Sequence, residues 1–567
     1  MRRRPLLITA LAAFGVGASL VVAPGAPAAM SSEQIAETQE RHFAVIDEIA
    51  LWDARTPTPR IGAVEGDPVA GTIEIGWVGP VPSEVRAMAD EAAAQGIEVT
   101  FVPQEASEAE LVGLAHDLAA SMPVEGAFAI GIGADSLSVE VPTPEAAEAV
   151  GAEAIPLEGE VLDVIDETEQ AAEQLGATVT VEETDSVPLT TASPAIEQGQ
   201  QLGTAAAPLA AGRSNDTSVL SGGMRVQTQF GNGAWINCTS GFSAFHGHRP
   251  VIVTAAHCSD YMDGRGVRNV AGTRIGTSDL VTELNDGDRP YDLGVIAASY
   301  DARTLPRIYK DETSTVNITG TQLAFPPAGY QLCSSGQVTG WKCNMTAGEA
   351  YVTCYAKSGG SECMHVQIVR ASSGNAFCQG DSGGPVVSVP TASGAIAMGV
   401  VSGLKSPLNG TCSTQGLIAP MSQLMATVPG LQLHTLDPES TSAATAAILD
   451  RVNTERRNAG LAPLAQDGCL NEMASDWAGS MAGSGLAGGA HNPYLDADAR
   501  ACSLSGWGEN VGRTYGSSVD PTGIMNAWMA STDHRANILR STFTHVGVGI
   551  AHGSNGYWYY VLDFGRR

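Results

Sequence analysis

Three short motifs set far apart in the chain place the tightest constraint on its fold: Thr254-Ala255-Ala256-His257-Cys258, Tyr291-Asp292-Leu293-Gly294-Val295 and Gly380-Asp381-Ser382-Gly383-Gly384-Pro385. Taken singly, a His, an Asp and a Gly-Ser-Gly turn are ordinary structural residues. In the order His, Asp, Ser they are the parts of an activated nucleophile. A serine hydroxyl attacks well only when an imidazole takes its proton, and that imidazole needs a buried carboxylate to fix its tautomer and steady its charged form. His257, Asp292 and Ser382 supply those groups, so the fold has to bring them within hydrogen-bond reach. Glycines beside Ser382 allow a turn tight enough for the N–H groups of Gly380 and Ser382 to converge on a developing oxyanion. The surrounding residues, 222–428, are short β-branched and aromatic runs broken by Gly, Pro and Asn, the texture of an all-β barrel or sandwich.

With these motifs in place, residues 219–430 resemble the chymotrypsin-like serine endopeptidases, particularly the secreted bacterial streptogrisin type. The resemblance implies a trypsin-like double Greek-key barrel, two six-stranded barrels with the site between them. It implies His257 as general base, Asp292 as its orienting acid, Ser382 as nucleophile, Gly380 and Ser382 as oxyanion donors, an acyl-enzyme intermediate, and peptide cleavage without a cofactor. Eight of the ten cysteines lie in this segment, and their spacing alone leaves the pairing open. By resemblance, Cys238 pairs with Cys258, Cys378 with Cys412 and Cys333 with Cys343, which leaves Cys354 and Cys363 for each other. The resemblance also places Ala376 at the floor of the primary specificity pocket and Ser402-Gly403-Leu404 along one wall. Leu404 narrows that pocket and Phe377 adds bulk, so the implied preference is for small or medium apolar side chains. Asp381 is expected to be structural. A buried charge needs a partner, and in relatives the matching acid meets a freed N-terminus or an internal arginine; the sequence leaves both open.

The N-terminal third has a different character. Arg2, Arg3 and Arg4, an apolar run over 6–22 and Ala26-Pro27-Ala28 make residues 1–28 read as a secretory signal peptide. Glycines dilute the run and Pro24 and Pro27 follow it, short of the ~20 residues of a membrane span; no later stretch qualifies. Export to an oxidising space follows, where disulfides persist. The net charge of −31 is concentrated here: residues 30–213 hold 34 acidic and 5 basic side chains, residues 214–567 hold 27 and 22. That balance argues against nucleic acid or an anionic membrane as partner. Within residues 30–187, strands are expected at 72–78 and 97–102, helices at 82–95 and 108–120, and extended runs at 127–141 and 177–183, a small α+β unit. Residues 188–218 have the Ala, Ser, Thr, Pro and Gly content of an exposed linker, with cleavage expected between 205 and 220. A cysteine-free module on such a linker resembles the pro-regions of bacterial relatives. That implies a folding aid and inhibitor of the chain's own protease.

Residues 431–442 read as a second linker, with Ser440, Thr441 and Ser442 signalling the start of a helix. Residues 443–567 then carry Asn453-Thr454-Glu455-Arg456, His491-Asn492, Gly508-Glu509-Asn510-Val511, Trp528, Ser531 and His534-Arg535-Ala536-Asn537. As a set these resemble the CAP domain of the cysteine-rich secretory, antigen 5 and pathogenesis-related proteins, in its bacterial form. The resemblance implies an α-β-α sandwich with His491, Glu509 and His534 converging on an open cleft. Two imidazoles and a carboxylate are a candidate zinc set with one position open; equally, they shape the cleft by hydrogen bonding one another. Ser531 stands near the place where eukaryotic relatives often carry a second Glu. Cys469 and Cys502, alone in this module, are expected to pair. With no nucleophile in view the module is expected to bind, its ligand a lipid, a cell-wall component or a protein. Two functional classes follow: an exported zymogen of an endopeptidase with a C-terminal binding module, or a CAP binding protein whose protease part mainly processes its own precursor.

Overall fold

The computed structural model describes residues 30–122, 126–150, 155–190, 212–216, 219–230, 233–246, 249–259, 264–281, 291–298, 303–357, 360–428, 431–436, 438–484, 490–516, 518–553 and 556–567. The expected signal peptide and residues 191–211 of the linker lie outside them.

The N-terminal module is two small α+β layers. The first is a sheet ordered Ile61–Asp67, Thr72–Val78, Glu98–Gln104, covered by helices Ser32–Asp53 and Ser83–Ala94. Ser31 opens the first helix with a capping box to Gln34, satisfying two of the N–H groups that a helix start leaves bare. Ile46, Ile49, Ile73, Ile75 and Trp77 fill the space between these layers. The second layer has strands Phe128–Gly133, Ser136–Pro142 and Thr178–Thr184 under helices Glu108–Ser121 and Glu160–Gln174. The long first helix and the helix Glu160–Gln174 were not foreseen from the sequence.

Residues 219–433 fold as two packed β-sheets. One has eight strands, in the order Trp235–Thr239, Arg225–Gln229, Gly266–Asn269, Arg274–Val281, Gly294–Ala298, Arg249–Thr254, Ser243–His246 and Leu431–Leu433. The other contains thirteen strands. Phe242, Val251, Val253 and Val295 of the first meet Cys333, Val387, Val400 and Ala419 of the second in one apolar core. Both sheets exceed the six strands implied by resemblance, and four of the thirteen in the second come from the N-terminal module, which extends it. Phe128–Gly133 lies antiparallel to the strand Gly340–Lys357, from Ile132 opposite Ala350 to Phe128 opposite Cys354. Val352 and Cys354 of that strand are buried with Phe128, Ile130, Leu118 and Val139 of the module.

Two expected boundaries shift. Pro188–Thr190, placed at the start of a linker by composition, forms a strand antiparallel to the segment 403–405. At the second linker, Leu431–Leu433 pairs with Ser243–His246 and the helix begins at Pro438, ahead of Ser440. Polar, small-residue composition marks exposure in isolation; here an unpaired sheet edge supplied the missing hydrogen bonds.

The C-terminal module is a four-stranded sheet, Ala465–Gln466, His545–His552, Tyr557–Arg566 and Gly506–Tyr515 in order, between two helical layers. The alternation of a strand divides the core cleanly: Trp558, Tyr560, Leu562 and Phe564 face one layer, Tyr559 and Val561 the other. Helix Gly468–Ser484 covers the second face, and a Cβ on its Gly479 would come 2.5 Å from Nε2 of His434, so this helix lies directly against the end of the protease segment.

Candidate active site

His257 sits in a short 3₁₀ turn, Ala256–Ser259, just after the strand Arg249–Thr254, and Asp292 stands two residues before the strand Gly294–Ala298, which pairs with Arg249–Thr254. That pairing brings the two together. Asp292 Oδ1 accepts the backbone N–H of His257 at 3.0 Å, and Oδ2 lies 2.7 Å from Nδ1. The Ser402 hydroxyl donates to the same Oδ2 at 2.6 Å. All of these residues are buried. Burial alone would raise the Asp292 carboxyl, but the charge and hydrogen bonds of His257 and the hydroxyl of Ser402 hold it below the usual carboxylate range. An ionised Asp292 keeps the proton on Nδ1, which makes Nε2 the nitrogen that accepts one.

Ser382 lies in the other sheet's half of the core, on a turn pressed against the His257 segment. Its carbonyl accepts from the Thr239 N–H at 2.8 Å. The next residue, Gly383, has φ +78°, and a Cβ there would stand 2.1 Å from Thr254 Oγ1 and 2.9 Å from the Ala255 nitrogen. No other residue fits so close to that strand. Cys238–Cys258 and Cys378–Cys412 are disulfide-bonded on either side of the site; Cys333–Cys343, Cys354–Cys363 and Cys469–Cys502 complete the set.

The segments expected to line the pocket, 376–377 and 402–404, adjoin residues hydrogen-bonded to this turn, Cys378 and Val401. Ala376, Phe377 and Leu404 are buried in a single apolar cluster with Tyr330 and, from the N-terminal module, Phe43. Ser402, expected along the pocket wall, gives its hydroxyl to Asp292, a bond that nothing local in the sequence signalled. Gly403 and Leu404 are paired with Thr190 and Leu189 of the same chain. Next to them Lys405, 3% exposed, donates to Glu140 Oε2 at 2.6 Å, and Tyr351 Oη donates to Glu140 Oε1 at 2.7 Å.

In the C-terminal module His491 Nδ1 donates to Glu509 Oε1 at 2.7 Å, and the Asn492 N–H donates to the same oxygen at 3.0 Å. Burial raises the Glu509 carboxyl, against the Asn492 N–H and His491. His534 stands on the helix Thr532–Ile538, which Asn537 ties to the Glu509 carbonyl and Asn510 ties through the His534 carbonyl. Burial, then the nearby His491, lower the His534 imidazole. Among the described residues no three His, Cys, Asp or Glu side chains stand close enough to share an ion. His491 and Glu509 are hydrogen-bonded to one another.

Residues 218–428 match the family model described as Trypsin, and residues 449–564 the one described as the Cysteine-rich secretory protein family. The chain joins a trypsin-like serine protease domain to a CAP domain. Among solved structures it is similar to protease A of Thermobifida fusca, with 27% identity and a TM-score of 0.30 over 38% of this chain and 100% of that one. The chymotrypsin of Cellulomonas bogoriensis gives 21% identity and a TM-score of 0.29 over 38% and 99%. The protein YkwD of Bacillus subtilis, described as uncharacterized, is 30% identical over 132 residues, 23% of this chain and 50% of that one. The chain thus spans about half the length of that curated relative. Among the described residues of the joined domains no helix is long and apolar enough to cross a membrane.

Proposed function

We propose that the protein is an exported serine endopeptidase, made as a zymogen and carrying its CAP domain as a binding module. The observation that carries the reading is the buried chain Ser402, Asp292, His257 beside a nucleophile turn that only glycine can close. In this mechanism His257 Nε2 takes the Ser382 proton as Oγ attacks the scissile carbonyl. The Gly380 and Ser382 N–H groups stabilise the oxyanion, His257 returns the proton to the leaving amine, and water then hydrolyses the acyl-enzyme by the reverse assignment. The apolar surroundings of Ala376, Phe377 and Leu404 favour small or medium apolar side chains at the cleaved position.

The zymogen reading is supported by where the chain's own residues lie. Peptides bind such clefts by adding a strand to an exposed edge, and Pro188–Thr190 occupies the edge of 403–405 in that manner. The acidic module is then the inhibitor and folding aid, export is supported by the five disulfides, and the CAP cleft takes a lipid, cell-wall component or protein. A serine-directed phosphonate should label the secreted protein and fail to label Ser382→Ala. Equal labelling of both would end the reading, and fastest cleavage after Lys or Arg in a peptide library would end its specificity clause.

A further inference from the structure

Residues 212–216 lie upstream of the first protease strand, in a stretch whose composition reads as linker, yet they are sewn into the protease. The Arg213 N–H donates to the Glu312 carbonyl at 3.2 Å, and the Arg225 N–H to the Arg213 carbonyl at 3.0 Å. Tyr309 Oη donates to Asp216 Oδ2 at 2.7 Å. The Arg213 side chain is itself buried, the residue only 3% exposed, with Nε donating to the Gly223 carbonyl and Nη2 to the Gly336 carbonyl, both at 2.6 Å. Two neutral carbonyls do not compensate a buried cation. Burial and the neighbouring Arg225 bring the guanidinium down to about 10, while Asp381, Glu312 and Asp311 favour its charge. Of those acids Asp381 is fully buried, whereas the Glu312 side chain is half exposed.

Gly336 lies between the Arg213 side chain and Asp381, whose carboxyl is raised by burial against the N–H groups that hold it. Its carbonyl is held by Arg213, and a Cβ on it would come 2.1 Å from Asp381 Oδ1. The residues that follow grip the nucleophile turn. Val338 and Thr339 donate their N–H groups to Asp381 Oδ1 at 2.8 and 3.1 Å, Cys378 donates to Oδ2 at 2.9 Å, and Gln337 Nε2 donates to the Gly380 carbonyl at 3.0 Å. The turn at 336–339 therefore sets where Asp381 and Gly380 stand. We infer that Arg213 is a positioning residue for the oxyanion hole, fixing the Gly336 turn that holds Asp381 and Gly380, and that the active enzyme keeps its chain from Gly212 onward. The inference rests on the protease reading. It moves the processing site upstream of Gly212, because any cut between Arg213 and Ser218 discards the arginine.

The test uses the full-length secreted protein. Phosphonate labelling of the wild type that is lost in Ser382→Ala secures the protease reading by itself; no labelling of the wild type overturns both. Mass spectrometry of the active species should find its first residue at or before Gly212, and an active species beginning after Arg213 overturns the inference. Arg213→Gln should lower kcat on a peptide amide roughly tenfold or more, short of the ~10²–10³ lost with an oxyanion donor, with KM held within about twofold. Arg213→Lys should recover part of that loss. Arg213→Gln that keeps both its thermal midpoint and its kcat would show the arginine to be dispensable. Should the Gln variant fail to fold, the N-terminus and the Lys variant's kcat decide: a Lys variant identical to wild type counts against the fork geometry.

Discussion

At Asp292 the carboxylate serves two partners at once, and each can be removed separately. Asp292→Asn keeps the shape but presents an amide to Nδ1, which favours the wrong imidazole tautomer; kcat should fall by ~10⁴. Ser402→Ala removes a hydrogen bond to a charged acceptor, worth ~1.5–3 kcal/mol, so a loss in kcat of roughly tenfold or somewhat more is expected with KM little changed. Steady-state kinetics on one apolar peptide amide measure both, and a Ser402→Ala enzyme as weak as Asp292→Asn would mean that the serine acts in some other way. The contrast also shows what was legible at this scale. His257, Asp292 and Ser382 announce themselves because each sits in a motif whose neighbours are fixed by the same chemistry. Arg213 carries no such mark, and Ser402, set along a pocket wall by resemblance, gives no sign of its bond to Asp292: neither role is visible until the fold places a carbonyl or a carboxylate beside it.

At the scale of elements, local period and capping were readable and long-range pairing was not. Strand Thr72–Val78 and helix Glu108–Ser121 fall close to where alternation and helical periodicity put them. That Phe128–Gly133 pairs with Gly340–Lys357, or Pro188–Thr190 with 403–405, depends on edges more than 200 residues away, and hydrophobic pattern alone does not name a partner strand. The Glu140 bridge tests whether this join matters. Its Lys405 side chain is 4% exposed, so Glu140→Ala leaves a buried ammonium unpaired wherever the module stays docked, a cost of ~3–5 kcal/mol. In a Ser382→Ala background, which removes the nucleophile, the variant should show a lower thermal midpoint for module release. Faster phosphonate labelling of the Ser382-intact protein should accompany it. An unchanged midpoint would mean that the pair is already open to water.

The whole molecule joins an acidic module to a nearly neutral remainder, and their contact contains two groups whose titration pulls in opposite directions. Asp47, on the first helix, accepts from Gln322 Nε2 at 2.6 Å and from the Leu323 N–H at 3.0 Å, both through Oδ1. Burial pushes it up to about 7 against these bonds, from an ordinary 3.8. The docked state therefore holds that proton longer, and the stability it contributes is complete below pH 3.8 and lost as the pH rises to 7. His42, whose Nδ1 lies 2.5 Å from Tyr330 Oη, is brought down to about 4 by burial and by Arg41, from 6.5. Its contribution is complete above pH 6.5 and lost as the pH falls to 4. The two largely offset one another between these limits, which leaves Asp47 to loosen the module as the pH climbs toward 7. Asp47→Asn keeps the Oδ1 acceptor and cannot ionise. In the Ser382→Ala background its thermal midpoint should match the parent at pH 4 and exceed it at pH 8. A gap of equal size at both pH values would trace the effect to packing and remove pH from the account of how tightly the module docks.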